Sequence, residues 1–296
     1  MFDITSYYEA KSVNDAVSAL VSTPEAEIIS GGTDVLIRVR EGKDAGRPLV
    51  SIHEIPELKE IRRLDNGDIL IGAGASFTSV TRHPVIQEYL PMLGEAVDLV
   101  GGPQTRNAGT IGGNVCNGAT SADSAATLLT LNAVLLLTGE HGERQVPIAE
   151  FYTGPGRTIR DRTEVLTGFL IRREEIEGWS GQYIKYGKRK AMEIATLGCA
   201  VRVKLAPDHT TLEGVRLAYG VAAPTPIRCR KAEAVLVGKS AADPAARAEF
   251  IETALTEVNP RSSWRASKEF RLQLIRELGI RALDEAVRRN GGIIGA

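Results

Sequence analysis

Asn107-Ala108-Gly109-Thr110-Ile111-Gly112-Gly113-Asn114-Val115-Cys116-Asn117-Gly118-Ala119-Thr120-Ser121-Ala122-Asp123 gathers glycine, asparagine, threonine and serine at a density that a plain connector does not need. An apolar helical pattern resumes just beyond it, at Leu128, Leu129 and Leu131. A second glycine-rich turn, Ser30-Gly31-Gly32-Thr33-Asp34, follows the short apolar run Ile28-Ile29. Glycine near a strand end lets backbone N–H groups turn toward a phosphate, and a helix starting just after it adds a favourable dipole. A single loop of this kind is explained by the need for a tight turn. Two in one chain point to a backbone cradle for something flat, polar and negatively charged.

The rest of the composition narrows the partner. At 296 residues the chain exceeds one average domain, so two domains are expected. A hydrophobic fraction of 43% with 25% charged residues describes a globular protein able to bury a full core. The net charge of −1 supplies no general field for nucleic acid or an anionic membrane, and 5% aromatics argue against base-stacking platforms. Cys116, Cys199 and Cys229 lie far apart without a C-x-x-C pair, which speaks against an iron–sulfur cluster or structural zinc in this chain. Such low cysteine usage fits a reducing cytoplasm. The start Met1-Phe2-Asp3-Ile4-Thr5 does not read as a signal peptide, and no apolar run approaches the ~20 residues of a membrane span.

Taken along the chain, Ser12 reads as a helix N-cap with Asp15 as its capping partner, and Val13, Ala16, Val17, Leu20 and Val21 form one apolar face. Strand Ile28-Ile29 runs into the first glycine turn, where Thr33 or Asp34 can cap a segment over Val35–Val39; Leu49–Ile52 is a further short strand. Asp65-Asn66-Gly67-Asp68 between apolar runs predicts a β-hairpin. Helices are expected over Phe77–Arg82, from Val85 to about Val100 with a break near Pro91, and from Ser124 to Leu131. Strands follow at Val134–Leu137 and Glu164–Ile171. The charged segment Arg172–Ser180 links two domains. Beyond it Gln182–Tyr186, Ala200–Leu205 and Leu212–Tyr219 predict three antiparallel strands, and Pro224 and Pro226 forbid a further central one. The remainder is helical, with Asp243-Pro244 as a cap followed by proline at the first helical position.

The common phosphate templates fail. Neither glycine loop is followed by Gly-Lys-Ser/Thr, which excludes a P-loop. Gly72-Ala73-Gly74-Ala75-Ser76-Phe77 begins like a dinucleotide motif but has Phe77 where the third glycine belongs. His53, His83, His141 and His209 have no metal-ligand spacing, no serine elbow is present, and Lys188-Arg189-Lys190 reads as a solvated basic run. A nucleotide cradle with no obvious acid, base or nucleophile points to a cofactor that carries its own chemistry.

Gly31-Gly32-Thr33-Asp34 together with Thr110-Ile111-Gly112-Gly113-Asn114 and Asp123 resembles the FAD-binding subunits of molybdenum hydroxylases, the group of xanthine dehydrogenases and carbon monoxide dehydrogenase medium chains. The likeness extends through Gly220–Arg228 and Ser262–Arg271, and over Gly112–Asp123 it is most similar to the bacterial three-subunit xanthine dehydrogenases. The resemblance implies an α+β fold: a two-part FAD-binding domain over 1–176, with lobes of about 1–58 and 59–176, then a three-stranded antiparallel sheet with a C-terminal helical bundle over 177–296. It implies one FAD loop made of Ile28, Ile29, Ser30, Gly31, Gly32, Thr33, Asp34 and Val35. The second would be Thr110, Ile111, Gly112, Gly113 and Asn114, with Asp123, Val100, Leu166 and Lys185 as further contacts. Val100 stands where animal xanthine dehydrogenases carry an aromatic residue. The implied role is electron relay from two [2Fe–2S] clusters on a small partner subunit, through FAD, to NAD. Substrate, xanthine or hypoxanthine, would be oxidised at the molybdenum cofactor of a large subunit in a heterotrimer or its dimer. Carbon monoxide or another N-heterocycle is the alternative substrate, and a non-catalytic nucleotide-binding assembly module is the alternative of another class.

Overall fold

The computed structural model describes residues 2–294. The chain begins with three-residue strands and short helices: β1 (Tyr7–Glu9), α1 (Val13–Ser22), β2 (Glu27–Ile29), α2 (Val35–Arg40) and β3 (Leu49–Ser51). The strands form a parallel sheet in the order β1-β3-β2. Helix α1 starts where Ser12 Oγ accepts the Asp15 N–H at 3.1 Å, and Asp15 in turn accepts the Lys11 N–H at 2.8 Å. This is a capping box displaced by one residue from its usual reciprocal partner. Val13, Ala16, Val17 and Leu20 are buried against Val50, Ile52 and Leu58. Asp34 occupies the N-cap position of α2 but makes no cap bond with its side chain.

The second lobe opens with the expected hairpin, β4 (Ile61–Arg63) and β5 (Ile69–Gly72), in which Gly67 adopts φ +88°. Six short helices follow: α3 (Phe77–Arg82), α4 (Pro84–Tyr89), α5 (Pro91–Asp98), α6 (Pro103–Ala108), α7 (Ile111–Cys116) and α8 (Asp123–Thr130). The break expected near Pro91 separates α4 from α5. The chain then returns through β6 (Val134–Gly139), β7 (Gly142–Pro147), the small hairpin β8 (Tyr152–Gly154) and β9 (Arg157–Thr158), and β10 (Val165–Ile171). β4-β5-β10-β6-β7 is an antiparallel sheet, and its apolar side chains Ile69, Ile71, Leu135 and Phe169 share one core with Val80, Leu93, Val97 and Leu128 of the helices.

The third sheet contains β11 (Trp179–Tyr186), β12 (Leu197–Leu205), β13 (Leu212–Gly220) and β14 (Ile227–Arg228). It therefore has four strands where three were expected. The prolines do bar a central strand, but they sit in the turn at 221–226, and the two residues after them pair with β13 as a short outer strand. Helices α9 (Arg230–Leu236) and α11 (Lys268–Arg289) lie against the sheet, and α10 (Pro244–Glu257) packs on both of them. Asp243 caps α10 by accepting the N–H groups of Ala245 and Ala246 at 2.9 and 3.2 Å.

β12 is nearly all apolar because both of its faces are covered. Leu197, Cys199, Val201 and Val203 enter the core under α9–α11, whereas Ala200 enters the core of the second lobe beside α8. The segment 172–180 is pinned between these layers. Glu175 is buried there, paired with Arg216 and accepting from Asn132 Nδ2 at 2.8 Å. Arg202 donates to the Glu175 carbonyl at 2.6 Å, and the Trp179 ring lies 4.3 Å from the Arg216 guanidinium and 5.3 Å from that of Arg202.

Candidate functional site: a cleft between two glycine loops

The two glycine loops, far apart in sequence, touch. A Cβ on Gly31 would lie 1.8 Å from the Ala108 carbonyl oxygen, so the approach is possible only with hydrogen at this position. Gly32 beside it takes φ +71°. The second loop is in turn strapped to Ala73–Phe77. Ile111 N–H donates to the Ala75 carbonyl at 3.0 Å, Gly112 N–H to Ala73 at 2.8 Å, and Phe77 N–H to Gly109 at 3.1 Å. Thr110 Oγ1 accepts the Gly113 N–H at 3.1 Å and starts α7.

Between the loops lies a cleft of ≈ 500 Å³. Its wall includes Ile28, Ser30, Gly31, Gly32, Thr33, Asp34 and Val35 from the first loop and Thr110, Gly112, Gly113 and Asn114 from the second. Val100, Asp123, Leu166 and Lys185 also line it. Ile29 lies outside this wall and borders a smaller neighbouring cavity, and Ile111 is fully buried in the core. The two glycines of the second loop differ in kind. A Cβ at Gly112 would sit 2.6 Å from the Ala73 carbonyl, so this glycine is required by loop-to-loop packing, not only by space for a ligand. A Cβ at Gly113 would meet only Thr110 Oγ1, at 3.0 Å.

The far wall is held by a buried polar cluster. Lys185 Nζ donates to Asp123 Oδ2 and to the Leu99 carbonyl, both at 2.8 Å, and the Tyr183 hydroxyl donates to Asp123 Oδ1 at 2.7 Å. Burial pushes the Asp123 carboxyl up, while the Lys185 charge pulls it back down. An ammonium has three N–H donors, so Lys185 keeps one beyond the two it spends on protein. Gly101, with φ +48°, carries the chain away from Leu99 and Val100, and Arg106 fixes the Val100 carbonyl at 3.1 Å.

Sequence reasoning missed several residues of the wall. Ala73 and Phe77 border it, and the signal was present in the glycine run whose dinucleotide pattern breaks at Phe77. Arg38, Arg160 and Cys116 also face it, as do Met192–Ile194 just after the basic run 188–190. Burial raises the Cys116 thiol, which is thereby kept protonated. Among the described residues no three His, Cys, Asp or Glu side chains come together to hold a metal, and no helix is long and apolar enough to cross a membrane.

The wall suits a long dinucleotide. It has backbone at close range from two loops, the spare donor of Lys185, and a buried Ser30 hydroxyl with no partner of its own. Residues 2–171 match the family described as the FAD binding domain in molybdopterin dehydrogenase, and residues 182–286 match the CO dehydrogenase flavoprotein C-terminal domain. The chain belongs to the FAD-binding subunits of the molybdenum hydroxylases. Among individual proteins, it is 43% identical over 293 residues to the xanthine dehydrogenase FAD-binding subunit of Escherichia coli O157:H7, covering 99% of both chains. The carbon monoxide dehydrogenase medium chain of Hydrogenophaga pseudoflava is 30% identical over 282 residues, 95% of this chain and 96% of that one. A solved carbon monoxide dehydrogenase from the same organism superposes with a TM-score of 0.91 at 30% identity, over 98% of this chain and 99% of its own.

Proposed function

We propose that this chain is the FAD-carrying electron relay of an NAD-dependent xanthine dehydrogenase. The observation that carries the reading is the 43% identity to a xanthine dehydrogenase FAD-binding subunit along the whole chain, with the two glycine loops closed around one cleft. FAD, when bound, supplies the redox chemistry, accepting electrons from a partner's iron–sulfur centres and passing them to NAD. The chain supplies position. Loop 28–35 offers backbone N–H groups to the pyrophosphate, and loop 110–114, whose own amides are spent on Ala73, Ala75 and Thr110, closes the cradle from the other side. Ser30 offers its free hydroxyl, and Asp123 and Lys185 with Val100 and Leu166 bound the flavin. Residues 1–176 act as the FAD-binding unit, with 177–296 as its second wall. A large molybdenum-cofactor subunit and a small subunit with two [2Fe–2S] clusters complete the cytoplasmic complex.

Absorption of the purified chain after reconstitution with FAD tests the cofactor, and absent flavin bands would defeat the proposal and favour a non-catalytic nucleotide module. Copurification of the complex and a panel of xanthine, hypoxanthine, carbon monoxide and N-heterocycles tests the reaction. Turnover of carbon monoxide instead of purines would move the chain to the other branch, which the 0.91 superposition on a carbon monoxide dehydrogenase keeps in play. Xanthine oxidation by the isolated chain would overturn the division of labour among subunits.

A further inference from the structure

We propose that Tyr183 is a positioning residue for the cofactor: it acts through Asp123 to set the charge that Lys185 presents to the cleft, and so tunes the potential of bound FAD. The proposal rests on the FAD reading. Asp123 and Lys185 border the cleft, whereas Tyr183 does not and is only 4% exposed. Its hydroxyl nevertheless points at Asp123 and takes Oδ1 at 2.7 Å, leaving Oδ2 to Lys185 at 2.8 Å. Positions 183 and 185 are two apart on β11 and therefore share one face of the strand. Asp123 opens α8 on the other sequence half, so the cluster joins the two walls of the cleft.

The surroundings are shaped for this hydroxyl. Gly198 on β12 stands opposite Lys185, and a Cβ there would lie 2.6 Å from Tyr183 Oη. The missing side chain at 198 is what lets the phenol reach Asp123. Without the Tyr183 donor, the Asp123 carboxylate is less neutralised and cancels more of the Lys185 charge at the cleft. In a buried site such charges act with little screening. A cation beside a flavin favours the electron-rich reduced state, so weakening it makes reduction harder.

The full chain reconstituted with FAD provides the test, through flavin fluorescence titration, visible spectra and spectroelectrochemical titration. Tyr183→Phe keeps the ring and removes only the hydroxyl; it is expected to lower the midpoint potential and weaken FAD binding by about 2–10-fold, the range for one net hydrogen bond. Asp123→Asn is expected to raise the potential, and adding Tyr183→Phe to it to change the potential no further. Should Tyr183→Phe fold poorly, Gly198→Ala displaces the same hydroxyl and is expected to lower the potential likewise. An unchanged or raised potential in the single variant, or a shift that persists in full on the Asp123→Asn background, overturns the proposal. A wild-type chain that does not bind FAD overturns the underlying reading as well, and the wild-type titration separates the two failures.

Discussion

Replacing Gly31 by alanine asks whether the two glycine loops must touch for the cleft to exist. The added Cβ would lie 1.8 Å from the Ala108 carbonyl oxygen and 2.5 Å from its carbon, against a floor of 3.0 Å for real Cβ contacts. Both clashing atoms are backbone, so no side chain can swing aside, and the loops must part by roughly an ångström, as overpacked sites do. That movement strains the bonds holding the second loop, Gly109 N–H to Thr105 at 2.7 Å and Phe77 N–H to Gly109 at 3.1 Å. Losing both costs about 2 kcal/mol at ~1 kcal/mol each. For a domain of this size that corresponds to a fall in Tm of about 4–8 °C. FAD affinity is expected to drop by roughly tenfold or more, since the loops proposed to hold the pyrophosphate no longer face each other. Far-UV circular dichroism melts and flavin fluorescence titration read the two quantities. Gly113→Ala is the control: its Cβ meets only Thr110 Oγ1, so its Tm is expected to stay near wild type while any loss of FAD reports crowding alone. A Gly31→Ala protein with wild-type Tm and wild-type FAD affinity would refute the loop contact as the organising feature.

Glu175→Ala removes the carboxylate that pairs with Arg216 and accepts from Asn132, stranding buried charge; a loss of about 3–5 kcal/mol in chemical denaturation is expected. Gly112→Val should lower stability more than Gly113→Val, because only the former drives a side chain into the Ala73 carbonyl; equal melts would remove that distinction. The Arg144 guanidinium, at 2.5 and 2.8 Å from the two carboxylate oxygens, holds Glu164 below its ordinary 4.5. A depressed carboxylate stabilises above its unfolded pKa and loses that contribution as pH falls toward its folded one. Glu164→Gln should therefore show a shallower loss of stability than wild type below pH 4.5, and parallel acid limbs would contradict the assignment.

Much of this was legible in the chain because glycine and apolar alternation leave marks. Asn66-Gly67 announced its hairpin, and the apolar runs of β11–β13 announced three strands. β1 and β7 gave no such signal: Tyr7–Glu9 is exposed throughout, and Gly142–Pro147 buries only Val146, so neither carries a pattern that separates strand from loop. β14 was hidden by its length, two residues recruited by pairing alone. At the site, the loops were readable because backbone proximity demands glycine. Arg38, Arg160 and Tyr183 were not, because each reaches the cleft or its wall only through tertiary placement. Gly112 lies on the cleft wall and also packs on the Ala73 carbonyl, and nothing local in the sequence tells a glycine needed for a ligand from one needed for a neighbouring loop.

β12, with one face in each core, bears on how such chains can exchange parts. The two sequence families that meet between residues 171 and 182 look like interchangeable units. Yet Tyr183, Ala200 and Ala218 from the second fill the core of the first. A chimera joining the front of one relative to the back of another inherits this wall along with the sheet. Its success depends on whether those three side chains suit a foreign α8, more than on where the crossover falls.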